Sequence, residues 1–200
     1  MERDREATEK RLLDAIRDII AEQGLEKIGI NAVSAQSGVS KILIYRYFGS
    51  LDGLIAAYIR KNDFWITSSA PEITSLEELI PFTKQLFRQY IDHLRSNPVL
   101  RKLCRWELSC SNEMITALRN QREQSGKRMI EMASKITGHT NDEMAALSTL
   151  ITATGTYLAM LADTYGNYNG INLNTDAGWE VIHQEVERLI DLTITQTSAK

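Results

Sequence analysis

The sequence predicts an all-α protein of about nine helices. Apolar residues recur at three- and four-residue spacing along nearly the whole chain. Only 3 Pro and 11 Gly interrupt it, and no stretch alternates apolar and polar residues as a half-buried strand would. Two hundred residues, 43% hydrophobic and 24% charged, are enough for one large domain or for a small and a medium one with a sizeable core.

From Ala7 to Gln23, Leu12, Ala15, Ile16, Ile19 and Ile20 line one helical face, and Gly24 supplies the stop. Two short helices follow at Ile30–Ser37 and Lys41–Phe48, separated by Gly38-Val39-Ser40. Ser50 has the character of an N-cap for a fourth helix running through Leu54, Ile55, Tyr58 and Ile59 towards Phe64-Trp65. The Ser/Thr-rich stretch Thr67–Thr74, with Pro71, reads as a break. Later helices are expected at 75–96, 98–109, 112–137, 141–165 and 176–196. Pro98 opens one of them and Gly138 closes another. Gly166–Thr175 reads as a polar loop.

Charge is distributed unevenly. The net charge is −3, yet between Lys27 and Lys61 five basic residues (Lys27, Lys41, Arg46, Arg60, Lys61) face Asp52 alone. A basic segment within an acidic protein suits binding to a polyanion at one place only. In that segment Gly24–Leu54 has the parts of a helix-turn-helix. Ala35 or Ser34 gives the small contact between helices, Gly38 the left-handed turn, Val39 an apolar plug and Ser40 the cap of the second helix. On that helix Ile44, Tyr45 and Phe48 are spaced to pack inward, leaving Lys41, Ile42, Leu43, Arg46 and Tyr47 to face outward.

These residues resemble the N-terminal part of the TetR family of transcriptional regulators. The likeness covers about residues 7–55: a first helix RLLDAIRDIIAEQG, then GVSK, then IYRYFGS, with linked positions at Gly24, Val33, Gly38, Val39, Ser40, Tyr45, Phe48 and Ser50. The remainder matches in helical layout only. The resemblance implies a helix-turn-helix DNA-binding domain at 1–49 and a helical effector-binding and dimerisation domain at 50–200. It implies Gly29, Asn31, Ser40, Lys41, Ile42, Leu43, Tyr45, Arg46 and Tyr47 as the DNA-binding set. Lys41 stands where the family directs a base at phosphate, and Gly29 where it places a capping Thr or Ser. The chain departs from the family at Ile42 and Leu43, where small or hydroxyl residues are usual, and at Leu51, where a lysine is common. Ile42 and Leu43 either read thymine methyls in the major groove, with Arg46 as a guanine reader, or extend the core.

The resemblance also implies a small-molecule pocket, a homodimer and a palindromic operator. Phe87, Tyr90, Leu103, Trp106, Cys110, Met114, Thr152, Thr156 and Met160 combine apolar walls with a few polar groups, as a pocket requires, although plain core packing accounts for each singly. Ser148, Thr152, Gly155, Ala159 and Ala162 form a small-residue stripe, and Trp179, Ile182, Val186 and Leu189 share a face of the last helix. Both suit the family's four-helix dimer interface. No catalytic constellation accompanies these features: His93, His139 and His183 lack ligand spacing, and no phosphate-cradling glycine loop occurs. No cofactor or metal is expected. Cys104 and Cys110 are too few for a disulfide framework. The charged start lacks a signal sequence, and the run Leu150–Ala162 is too short to cross a bilayer, so the expectation is a cytoplasmic repressor rather than an enzyme. The rival reading is a helical ligand-binding or catalytic domain whose helix-turn-helix is only structural.

Overall fold

The computed structural model describes residues 2–68, 71–109 and 112–195. Ten helices and one two-stranded hairpin occur among them, and their contacts divide into two compact units. One unit takes the chain up to Thr67 together with Pro98–Arg122; the other takes residues 68–97 and those from 123 onward. This contact-based division runs elsewhere than the 49/50 division of labour expected from the sequence.

The first unit begins with α1 (Glu2–Gln23), whose Leu12, Ile16, Ile19 and Ile20 are buried. Lys102 closes its C-terminus by donating from Nζ to the carbonyls of Ala21 (2.7 Å) and Ile20 (3.2 Å). After a single 3-10 turn come α2 (Ile30–Ser37), α3 (Lys41–Phe48) and α4 (Leu51–Asn62). Ser50 caps α4 by accepting from the Gly53 amide at 2.9 Å. The fourth helix stops short of the expected Phe64-Trp65. Asp63 turns extended (φ −81°, ψ 120°), and its carboxylate accepts from the Ile66 amide at 3.1 Å, starting the separate short α5 (Phe64–Thr67). This extra helix accounts for ten instead of nine. Val33, Val39, Ile44, Leu54, Ile55, Tyr58 and Ile59 complete the core. They are joined by Leu103 of α7 (Pro98–Ser109) and by Ile115 and Leu118 of α8 (Glu113–Thr137).

The second unit holds α6 (Leu76–Ser96), the rest of α8, α9 (Asn141–Leu161) and α10 (Asp176–Thr195). A capping box opens α9. The Thr140 hydroxyl accepts from the Glu143 amide at 3.2 Å, and the Glu143 carboxylate accepts from the Thr140 amide at 2.8 Å. Charged pairs join α6 to α10. Lys84 meets Asp191 (2.7 Å), Arg88 bridges Glu180 and Glu187 (2.8 Å each), and Arg95 meets Asp176 (2.7 Å) while lying over the Trp179 ring. The expected loop 166–175 instead contains β1 (Asn167–Tyr168) paired antiparallel with β2 (Ile171–Asn172). Two residues per strand are too few to show alternation in sequence.

A candidate nucleic-acid interface

The helix-turn-helix is fixed from three directions. Gly38 takes the left-handed conformation (φ 64°) that side-chain-bearing residues avoid. Ser37 and Ser34 tie the turn to α2: Ser37 Oγ donates to the Val33 carbonyl (2.6 Å) and accepts from the Val39 amide (3.2 Å), while Ser34 Oγ donates to the Val39 carbonyl (2.7 Å). Ser34, not the exposed Ala35, is therefore the small contact. From α1, Arg11 Nη2 donates to the Ser37 carbonyl at 2.7 Å, a tie that crosses 26 positions and had no local sequence signal.

On α3 the side chains divide into two stripes. Positions 43, 44, 47 and 48 face the core: Ile44 is fully buried, and Leu43, Tyr47 and Phe48 pack against it half-buried. Positions 41, 42, 45 and 46 face outward, with Ile42 70% and Tyr45 55% exposed. This corrects three expectations. Tyr45 faces out, while Leu43 and Tyr47 are turned in, because at 100° per residue the burial of Ile44 and Phe48 takes their neighbours 43 and 47 with them. The Tyr47 ring is also covered by the Arg5 guanidinium, 5.2 Å from its centroid. The choice left open at Ile42 and Leu43 thus divides between them: Ile42 is outward and Leu43 extends the core.

Ser40 occupies the N-cap position of α3, yet its hydroxyl makes no cap bond and is exposed. Gly29 precedes α2 in extended conformation, and a Cβ built there meets nothing within 4 Å. Asn31 is exposed on the first turn of that helix. Lys41, Ile42, Tyr45 and Arg46 thus present two cations, an aliphatic group and a phenol from a single helix face. Such a set can meet phosphates at its edges and base edges in its middle.

The expected pocket residues fall in different places. Leu103, Trp106 and Met114 belong to the first unit, Leu103 in its core and the other two half-buried against it. Phe87, Tyr90, Thr152, Thr156 and Met160 belong to the second. There Thr156 Oγ1 donates to the Thr152 carbonyl (2.7 Å) and so accepts from the Tyr90 hydroxyl. Cys110 lies outside the described residues. Cys104 is held in a buried setting that pushes its thiol up to about 11. Among the described residues no group of three or more His, Cys, Asp and Glu side chains could hold a metal ion.

The expected dimer residues also divide. Gly155, Ala159, Trp179 and Val186 are buried within the second unit, and Ser148, Thr152, Ala162 and Ile182 are partly so. A Cβ at Gly155 would stand 2.9 Å from Ile91 Cγ1, so this glycine serves the close approach of α9 to α6 in the same chain. Of the expected set only Leu189 is exposed; the other large outward apolar side chains on these helices are Leu150, Tyr157, Val181 and Leu192. α9 is long and apolar enough by length and composition alone to cross a membrane, a property that the core helix of a soluble protein shares, and here it packs on α6.

A buried charge cluster had no sequence signal either. Arg122 Nε donates to Asp63 (2.5 Å), and its two terminal nitrogens form a fork on Glu107 (2.6 and 3.0 Å). Asp63 and Glu107 are both buried, and Arg119 adds a bond to the Glu107 carbonyl. The three ionic partners come from the α4–α5 junction, α7 and α8, at separations no helical period relates.

Comparison with known proteins agrees with this geometry. Residues 12–58 match the model of bacterial regulatory proteins of the tetR family. No curated protein matches. Among solved structures, a TetR-like transcriptional regulator from Rhodococcus sp. RHA1 superposes with a TM-score of 0.58 at 15% identity, over 96% of this chain and 97% of that one. The fatty acid degradation regulator FadR from Bacillus halodurans gives 0.57 at 16%, over 96% and 97%. A further TetR transcriptional regulator from Rhodococcus sp. RHA1 gives 0.53 at 17%, over 98% and 100%. Identities this low speak for the fold alone, and the match to the family model is confined to residues 12–58. The stretch that carries the outward basic and apolar stripe on α3 is thus similar to the helix-turn-helix of bacterial regulatory proteins of the tetR family, and the whole chain shares the fold of TetR-like regulators.

Proposed function

We propose that the chain is a homodimeric repressor that holds a palindromic operator with α3 of each protomer and leaves it when a small molecule binds. The observation that carries this reading is the α3 stripe Lys41-Ile42-Tyr45-Arg46, which has base-reading chemistry and no packing task. A helix-turn-helix kept only as structure would have no reason to expose Ile42, whereas Leu43 and Leu51, the other two departures from the family, pack against the core. Residues 1–49 read DNA, and residues 50–200 pair the protomers and take the effector. Such a protein acts on chromosomal DNA in the cytoplasm. In the second unit the hydroxyl pair Tyr90–Thr156, with Phe87 and Met160 on the same two helices, offers an effector a polar contact beside apolar ones. An effector shifts the equilibrium only through unequal affinity for the two states.

Pairing is supported by the outward surface of α9, where Ala146, Thr149, Leu150, Ala153, Thr154 and Tyr157 are exposed and none is charged. A two-fold interface sets a surface against its own copy, so an uncharged one avoids self-repulsion. Ile42 and Arg46 read bases, while Lys41 and the Ser40 hydroxyl meet phosphate.

Selection from random duplex DNA, made in parallel with thymidine and with deoxyuridine, tests this. The expected product is a palindrome with half-sites about one helical turn apart. Its thymine preference is lost when the C5 methyl is absent or when Ile42→Ala removes the reader. Arg46→Ala should weaken operator binding by about 1–3 kcal/mol. Failure to enrich any sequence from either library would overturn the regulator reading. Unchanged selection with deoxyuridine would remove Ile42 alone from the readout.

A further inference from the structure

We propose that the hairpin between α9 and α10 is a pairing arm that grips a second copy of this chain. The inference rests on the dimer reading above and adds to it a surface that the helices do not supply. Tyr165 and Tyr168 are 60% and 39% exposed, and Tyr168 stands edge-on to Tyr157 of the outward α9 face, ring centroids 5.9 Å apart. Tyr157 is itself 50% exposed, so an aromatic patch continues from the helix face onto the hairpin.

The arm is rigid at its base. The Leu173 amide donates to the Gly166 carbonyl (2.7 Å), and buried Trp179 donates from Nε1 to the Leu173 carbonyl (2.7 Å). Leu173 is buried as well, and the Asn174 amide donates to the Asn172 side chain at 3.0 Å. Its tip turns at Asn169 (φ 50°) and Gly170 (φ 82°) between paired Tyr168 and Ile171. A segment ordered this way loses little entropy when it docks.

The occupant follows from charge. Residues 164–175 contain no charged side chain, although 24% of the protein is charged, and the adjoining α9 face has none. On the outward side of α10, Glu185 and Arg188 neutralise each other at 2.5 Å between exposed Val181, Leu189 and Leu192. The hairpin is flanked by Asp163 and by Asp176, the latter paired with Arg95, so a strongly charged partner finds little complement between them, whereas an identical surface meets little repulsion. Tyrosine supplies large contact area with few torsions to freeze, which is why it recurs among residues that dominate interface energies.

The test is sedimentation velocity on the full chain over a dilution series. It compares wild type, Tyr165→Ser with Tyr168→Ser, Tyr168→Phe, and Leu150→Glu as a disruptor of the helical face. The expected result is a wild-type dimer whose dissociation constant rises roughly 10- to 100-fold in the double serine variant and stays near wild type in Tyr168→Phe. Circular dichroism should be unchanged throughout. If the double variant misfolds, Tyr165→Ser alone carries the test, since that ring is mostly exposed. A dimer lost in Leu150→Glu but untouched by the hairpin changes would overturn the arm and leave the dimer reading intact. A monomeric wild type would overturn both.

Discussion

Arg122 and Arg88 each bridge a pair of carboxylates, in opposite surroundings. Arg122 in the first unit holds Asp63 and Glu107, whose side chains are almost wholly buried. Arg88 in the second unit holds Glu180 and Glu187 on a half-exposed seam between α6 and α10. The first cluster fixes where α4 ends and α5 begins, because a buried carboxylate without its guanidinium is intolerable. The second is one of several interchangeable surface pairs along its seam. The same chemistry thus specifies geometry in one place and only adds modest adhesion in the other. Rearrangement is cheap along the α6–α10 seam and costly at Arg122.

The largest expected effect is at the buried cluster. Arg122→Ala should destabilise the protein by about 3–5 kcal/mol, since it strands two buried negative charges. Chemical denaturation would measure it, and a loss no greater than that of a surface pair would show that water already reaches Asp63 and Glu107. Arg88→Ala should cost under about 1 kcal/mol and less still at high salt, because screening acts on exposed pairs. A salt-independent loss would mean that the seam behaves like the buried cluster.

The smallest effect is read by acid titration. Hydrogen bonds from Arg88 hold the Glu180 carboxyl below its ordinary 4.5. A carboxyl depressed in the folded state stabilises it above the unfolded value and ceases to do so as pH falls through the folded one. Stability should therefore decline below about pH 4.5 in wild type and more gently in Arg88→Ala. Parallel curves for the two proteins would detach Glu180 from that decline.

The same contrast separates what the sequence made legible from what it did not. The bounds Ile30–Ser37 and Lys41–Phe48 could be read directly, because Gly38 and Gly49 punctuate them. The facing of α3 could not. Six of the eight residues in KILIYRYF are apolar or aromatic, so the helix shows too little contrast to reveal which side is buried. Spacing alone puts Tyr45 inward and Tyr47 outward, the reverse of what packing imposes. The small stripe around Gly155 predicts close helix approach correctly, but a glycine looks the same whether its neighbour is Ile91 of its own chain or another protomer. The hairpin does leave a trace: Asn169-Gly170 is a strong turn dipeptide, but the flanking strands are too short to mark it as a hairpin. Arg122, Asp63 and Glu107 left none, since long-range ionic partners obey no period.

The two stripes of α3 also separate what must be conserved for folding from what is open to redesign. Ile44, Phe48, Leu43 and Tyr47 maintain the head, while Lys41, Ile42, Tyr45 and Arg46 contribute little to its core. A combinatorial library confined to those four outward positions would therefore vary the exposed face of α3 while leaving the scaffold intact. If α3 reads DNA as proposed, it is a replaceable reading head whose addresses could be rewritten without rebuilding the protein that carries it.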